Sequence, residues 1–598
     1  MELSLTRIDY VQIGTVSKGC LRLIPSIRGD KKKSLDRVAC GDHDGAVQCL
    51  AIKGSNMQAI FKTMTGAKIN CLRLGGALGT VQDKIFVASG NQVKAYSKKG
   101  KHFFTFETNM AEPTSSMYIY GVDMFLCGRL SFIHYHDCVE ANNYRSSDDI
   151  NDILCLPVTE GSWVGRGLTP LLACNDKTIK IIQGSEVSYE VNISDIPNVL
   201  HLFLNDGGFS KQKVLFGTKN GRLGLVELPP DNGQIIWEIK TQSSSAINGI
   251  YCYPLMGTTP DVIIGKEDGL VEIYSIDSFD VATLKKFYQC EESIVAVQAG
   301  RVSSPNFDEI ILCTYTGWIF GLTTEPRANS NASLSPQIEV KVQELRNEVE
   351  RLETRVVNER QRYHELTLRD NTEMAIAPKF AMQDQFTMDK ENAFYTLSIE
   401  LVVAIDYILL QIRISIFHFI AFLVSALIGA TGDVRIELLD SEKNLAVVSF
   451  TTPDEGSGNA FLATYRCQAN TTRIEVRIRS VEGQYGTIRA YICPKCNPKT
   501  SQVGFHELTE IANLSHLTIV VRIYNIKPLS LHERIHEFDN SRPLNILKFT
   551  GKFSLTEAHQ WLNLLVSQVP ERVPPQDTVI FNFASTSNGG TQMQAEYR

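Results

Sequence analysis

Excess charge of one sign is missing from this chain. Its 598 residues carry 59 Lys and Arg against 66 Asp and Glu, a formal net charge of −7. So even a balance argues against a general nucleic-acid binder, which carries a basic domain or stripe. The short basic runs at 31–33 and 98–101 flank apparent strand ends and read as solvated loops. The fourteen cysteines show no short repeated spacing. Cys493-Pro494-Lys495-Cys496 stands alone, and a zinc site needs a second pair or two histidines. The first residues lack the apolar core of a secretory signal, so the expectation is a cytosolic chain with reduced thiols.

Catalytic wording is missing as well. No P-loop, nucleophile elbow or dinucleotide fingerprint occurs. Gly75-Gly76-Ala77-Leu78-Gly79 precedes no phosphate-binding helix and reads as a loop between strands. His134 and His136 fall on one face of a strand, where packing within a sheet explains them better than a metal does. No catalytic, cofactor-binding or metal-binding residue is therefore assigned, no cofactor is expected, and an enzyme is not.

What is present is a repeat. A short apolar strand, a small residue, a polar turn and a second alternating strand recur seven times. Val38-Ala39-Cys40-Gly41-Asp42-His43-Asp44-Gly45-Ala46-Val47 is a clear copy, and Met124-Phe125-Leu126-Cys127-Gly128-Arg129-Leu130 is the weakest. The turn residues fall at 45, 91, 128, 176, 221, 269 and 317. One hairpin every 45 or so residues leaves room for two more strands, which is the arithmetic of a propeller blade. The fold class is mainly β: a seven-bladed WD-like β-propeller over 1–324, lacking the tryptophan-aspartate signature, with residues 3–13 closing the ring. The small residue before each turn is expected where blades taper toward the axis.

A polar linker, 325–335, leads into a helix over 336–370. Ile338, Val342, Leu345, Val349, Leu352, Val356, Glu359, Tyr363 and Leu366 are spaced alternately four and three residues apart. That 3.5-residue period makes a coiled-coil seam. The helix could lie back on its own propeller, but packing on a globular surface usually broadens the apolar face, so the narrow stripe favours a partner helix and reads as a dimerisation element.

From 386 strands return, and Arg473-Ile474-Glu475-Val476-Arg477-Ile478-Arg479 alternates strictly. A small β-sandwich is expected over 386–598. Residues 414–432 lack a formal charge, which raises the alternative of a single-span membrane-anchored propeller protein.

A propeller, a four-heptad helix and a sandwich in that order resemble the propeller subunits of the BBSome, the Bardet–Biedl syndrome protein complex. The opening Leu3-Ser4-Leu5-Thr6-Arg7-Ile8-Asp9-Tyr10 carries the resemblance, with Val214-Leu215-Phe216-Gly217-Thr218-Lys219-Asn220-Gly221. So do Phe461-Leu462-Ala463-Thr464-Tyr465-Arg466-Cys467-Gln468-Ala469 and Ile526-Lys527-Pro528-Leu529-Ser530-Leu531-His532. It implies a non-enzymatic scaffold in a coat-like complex that moves membrane proteins into and out of cilia. The sandwich would resemble an adaptin ear, and the helix would pair with that of BBSome subunit two. The complex would be recruited to membranes by an Arf-like small GTPase. It implies residence in cytoplasm, cilium, basal body and centriolar satellites, peripheral at the ciliary membrane. Stretches near 412–431 and 504–525 look like insertions against the family pattern, expected to be translated intron or a gene-model artefact. A platform-like domain of the family is expected to be missing.

Overall fold

The computed structural model describes residues 4–26, 35–53, 56–78, 80–156, 168–203, 213–229, 232–255, 259–277 and 281–325. It further describes scattered positions within 344–362, then 381–390, 393–415, 435–439, 445–446, 449–451, 460–467, 471–479, 483, 485–495, 502–503, 520–541, 543, 545–574, 576–586 and 590–598.

The N-terminal unit contains seven four-stranded antiparallel sheets. Six are built from consecutive strands, as in the first: Leu21–Ile24, Arg37–Gly41, Val47–Lys53 and Asn56–Lys62. The seventh joins Ile294–Gly300, Glu309–Thr314 and Trp318–Thr323 to the N-terminal strand Thr6–Gln12. Thr6 pairs with Thr323 and Gln12 with Trp318, so one blade is assembled from both ends of the domain and the ring is closed, as residues 3–13 lead one to expect. The first strand of every blade touches that of the next, from Leu21–Ile24 round to Ile294–Gly300 and back.

The repeated phrase is the hairpin between the second and third strands. Its glycines supply the left-handed backbone that a tight turn needs: φ is 84° at Gly269 and 88° at Gly317. The weak third copy turns without a left-handed glycine: Gly128 N–H donates to Ser131 O at 2.8 Å and the Glu112 carboxylate accepts from Leu130 N–H at 2.8 Å. A side chain there does what Asp-Gly does elsewhere. The small residue before the turn makes room for the neighbouring blade. A Cβ at Gly41 would lie 2.9 Å from Ile69, at Gly217 2.7 Å from Ile247, and at Gly265 2.6 Å from Ile294. Each glycine receives a β-branched side chain from the start of the next blade. Apolar faces then interlock between blades, as Leu171, Ile179 and Ile181 do with Leu200, Val214 and Phe216.

The second unit opens with a β-sandwich. One sheet orders Met382–Asp389, Phe394–Leu401, Arg473–Arg479, Arg435–Leu439 and Leu445–Ala446. The other orders Ser449–Thr451, Ala460–Arg466, Ile405–Ser415, Tyr485–Pro494, Val520–Ile526 and Gln502–Val503. Ile474, Val476 and Ile478 point inward against Leu397, Ile399, Ile408 and Leu410, while Arg477 turns outward over the Phe394 ring.

Two boundaries differ from the sequence reading. Residues 412–415 and 520–525, placed inside insertions, belong to sandwich strands: Ile412 is fully buried in the core, and Ile488 pairs with both Ile412 and Tyr524. Ile414 pairs with Gly486 and Ser415 with Tyr485, so the proposed span at 414–432 begins within a sheet. The remaining stretches, 416–434 and 504–519, lie outside the described residues. The sandwich also ends at Ile526 instead of 598. Beyond it, His532–Ile535, Val579–Ser585 and Gln592–Tyr597 form a separate three-stranded sheet beside the helix Leu555–Leu565. That helix begins in a capping box, Ser554 and Glu557 each satisfying the other's backbone N–H.

Candidate functional site

The coiled-coil seam is the site that the sequence singles out. Ile338, Val342, Leu345, Val349, Val356, Tyr363 and Leu366 lie outside the described residues. Leu352 is described; it is helical and 48% exposed, between the exposed Arg351 and Thr354.

A second site, invisible in the sequence pattern, is the propeller axis. Arg22 and Arg73 come from the first strands of blades one and two, Asp152 from blade four and His201 from blade five. Lys18, just before blade one, donates to the Asn198 carbonyl of blade five at 2.5 Å and to its amide oxygen at 3.1 Å. Blades one and five are not neighbours, so this contact crosses the ring. Arg73 likewise reaches Asp152 at 3.5 Å from a blade two places away. Asp152 also accepts from Leu200 N–H at 3.0 Å and is buried. Arg22 donates to the Leu21 carbonyl at 2.9 Å.

The electrostatics follow from this crowding. Burial pulls the Lys18 ammonium down to about 8 against the opposing pull of Asp152. Burial, followed by the adjacent Arg73 charge, pulls Arg22 down to about 10. Burial also lowers His201 to about 4, so it is neutral at ordinary pH. Lys219 stands nearby, its ammonium donating to Asn175 Oδ1 at 2.9 Å.

Asparagines stitch blade to blade at the same ring of first strands. Asn70 donates to Thr114 O at 3.1 Å, Asn151 to Pro197 O at 2.8 Å, Asn198 to Ile247 O at 2.8 Å and Asn248 to Ile294 O at 3.1 Å. Two signals point to the axis once the repeat is aligned. Cys-Leu-Arg-Leu occurs at both 20–23 and 71–74, and an apolar residue followed by Asn opens three of the first strands and, as Ile69-Asn70, directly precedes a fourth.

The other clusters are structural. His134 and His136 both hydrogen-bond Asp123 Oδ1, at 2.8 and 2.7 Å, and His134 stacks on Phe125. Among the described residues no three His, Cys, Asp or Glu side chains converge as a metal site. Cys493 is buried beside the sandwich core, and Cys496 lies outside the described residues. No helix among the described residues is long and apolar enough to cross a membrane.

Family models match three stretches: the BBS7 beta-propeller over 21–324, the BBS7 GAE domain over 378–420 and 424–506, and the BBS7 platform domain over 532–598. The expected absence of a platform-like domain is thereby corrected: the small sheet and helix beyond the sandwich match it. The first apparent insertion also shrinks, since the second domain's match breaks only at 421–423. The mouse protein described as BBSome complex member BBS7 is 40% identical over all of this chain and 78% of its own length. Its Caenorhabditis elegans counterpart is 41% identical over 99% of this chain and 77% of its own. A crystal structure of BBS1N in complex with ARL6DN aligns with a TM-score of 0.41 and 14% identity, over 55% of this chain and 99% of that one, too low to carry weight. With propeller, GAE and platform domains in the family's order and about two residues in five shared with curated members, the chain belongs to the BBS7 family of BBSome subunits.

Proposed function

We propose that this chain is a non-enzymatic scaffold of the BBSome, a coat-like complex that carries membrane proteins to and from cilia. The observation that carries the reading is identity of 40% along the whole chain with a BBSome member, not with one domain of it. Its contacts are made by propeller blades and by the seam Ile338, Val342, Leu345, Val349, Leu352, Val356, Tyr363 and Leu366, which pairs with the equivalent helix of BBSome subunit two. The exposure of Leu352 among charged neighbours supports that reading, because an isolated leucine on a solvated helix gains nothing until a partner covers it. Membrane association is indirect, through an Arf-like small GTPase that recruits the assembled complex. The chain resides in the cytoplasm, at the basal body and centriolar satellites, and peripherally at the ciliary membrane.

Affinity purification of the tagged chain from ciliated cells, followed by mass spectrometry, tests this. Other BBSome subunits should dominate the recovered proteins. A chain recovered alone, or as an integral membrane protein after alkaline carbonate extraction, contradicts it.

A further inference from the structure

We propose that the propeller axis is a binding site for a small phosphate-type anion, held by Lys18, Arg22 and Arg73. Around this stretch of the axis three cations face a single carboxylate, Asp152, and that carboxylate is already engaged by Arg73 at 3.5 Å and by Leu200 N–H. Lys18 is held by the neutral Asn198 and Arg22 by a backbone carbonyl. Among the described residues neither has a carboxylate within ion-pair distance. All three side chains are partly buried, and partly desolvated cations are normally paired, because stripping water from a lone charge is costly.

Geometry narrows the ligand. A Cβ at Gly19 would lie 3.2 Å from one Arg73 terminal nitrogen and 3.7 Å from one of Arg22. The two guanidinium groups therefore converge on one point of the backbone, where Arg73 Nη1 donates to the carbonyls of Gly19 at 3.5 Å and Leu72 at 3.1 Å while its Nη2 meets Asp152. Two guanidinium groups converging with an ammonium suit the several oxygens of a phosphate better than the two of a single planar carboxylate. A dianion also balances the two unpaired cations where a monoanion cannot. Burial first, then repulsion from Lys219 and Arg73 at Lys18 and from Arg73 at Arg22, lowers both groups. Structural packing alone does not call for a second Cys-Leu-Arg-Leu at the same place in the neighbouring blade, since apolar residues would close the axis without that repulsion.

Inorganic phosphate and a phosphate monoester share this chemistry, and the test separates them. The purified full chain would be titrated calorimetrically with inorganic phosphate and with glycerol 3-phosphate at fixed ionic strength, with chloride as the control. Arg22→Gln, Lys18→Met and the outer-strand control Lys286→Gln would be run beside it. Saturable binding of one or both phosphates is expected, with affinity lowered by about tenfold or more in the two axial variants and unchanged in the control. Preference for the ester assigns the site to an esterified phosphate, and equal affinity to the free anion. If Arg22→Gln does not fold, as judged by far-UV circular dichroism, Lys18→Met carries the comparison. Binding no tighter than chloride, or undiminished in the folded axial variants, overturns the proposal.

Discussion

At Gly317 the backbone leaves no alternative. With φ at 88° and a prospective Cβ only 2.3 Å from the Gly14 carbonyl, any side chain strains the hairpin and pushes away the strand that closes the ring. Gly317→Ala should cost about 1–2 kcal/mol from the left-handed backbone alone, with more from the clash. Thermal unfolding should show a lowered midpoint, and an unchanged one would mean that the closing strand yields freely. This constraint was legible, because Thr316-Gly317 sits in the repeated phrase. Arg22, Arg73 and Asp152 were not legible as a site. They lie in three first strands far apart in the chain and become neighbours only when the ring closes. Each one alone reads as a charge on a strand.

Among the elements, blade six carries a buried polar network that ties it to its neighbour. Lys266 and Glu272 are both fully buried and 3.5 Å apart. The Lys266 ammonium also donates to Thr241 Oγ1 and Ser243 O, each at 2.6 Å, and the Tyr274 hydroxyl donates to Glu272. Thr241 and Ser243 follow the outer strand Gln234–Lys240 of blade five, so the pair pins one blade against the next. Lys266→Met should destabilise the propeller by about 3–5 kcal/mol by stranding the Glu272 charge, and Lys266→Met with Glu272→Gln should recover much of that loss. Chemical denaturation of both variants checks it, and a double variant as unstable as the single one would show that packing governs the site instead. Strand placement here followed from alternation, as at Ile474, Val476 and Ile478. The limits of the sandwich did not. An uncharged run through Ile412 reads equally as core strand, insertion or membrane span, and only its pairing with Ala490's strand decides. The small sheet beyond 532 was missed because its alternating strands, such as Val579–Ser585, have the same period as those of a sandwich.

For the whole molecule, two partly buried histidines set a response to acid. Burial holds His43 and His201 at about 4, below the ordinary 6.5. Between those values the unfolded chain binds protons that the folded chain refuses, so stability falls as pH drops through 6.5 toward 4. The unfolding midpoint should be lower near pH 5 than near pH 7, and replacing both histidines with Gln should flatten the difference. A wild-type midpoint constant over that interval would place both rings in contact with solvent.

The assembly claim rests on the helix, and its most direct test is a pair of charges in the seam. Leu345→Asp with Leu352→Asp, in the tagged full chain purified from ciliated cells, should lose BBSome subunit two while circular dichroism shows the propeller and sandwich intact. Recovery of subunit two at the wild-type ratio would contradict the account, and the scaffold would then have to bind through its blades alone.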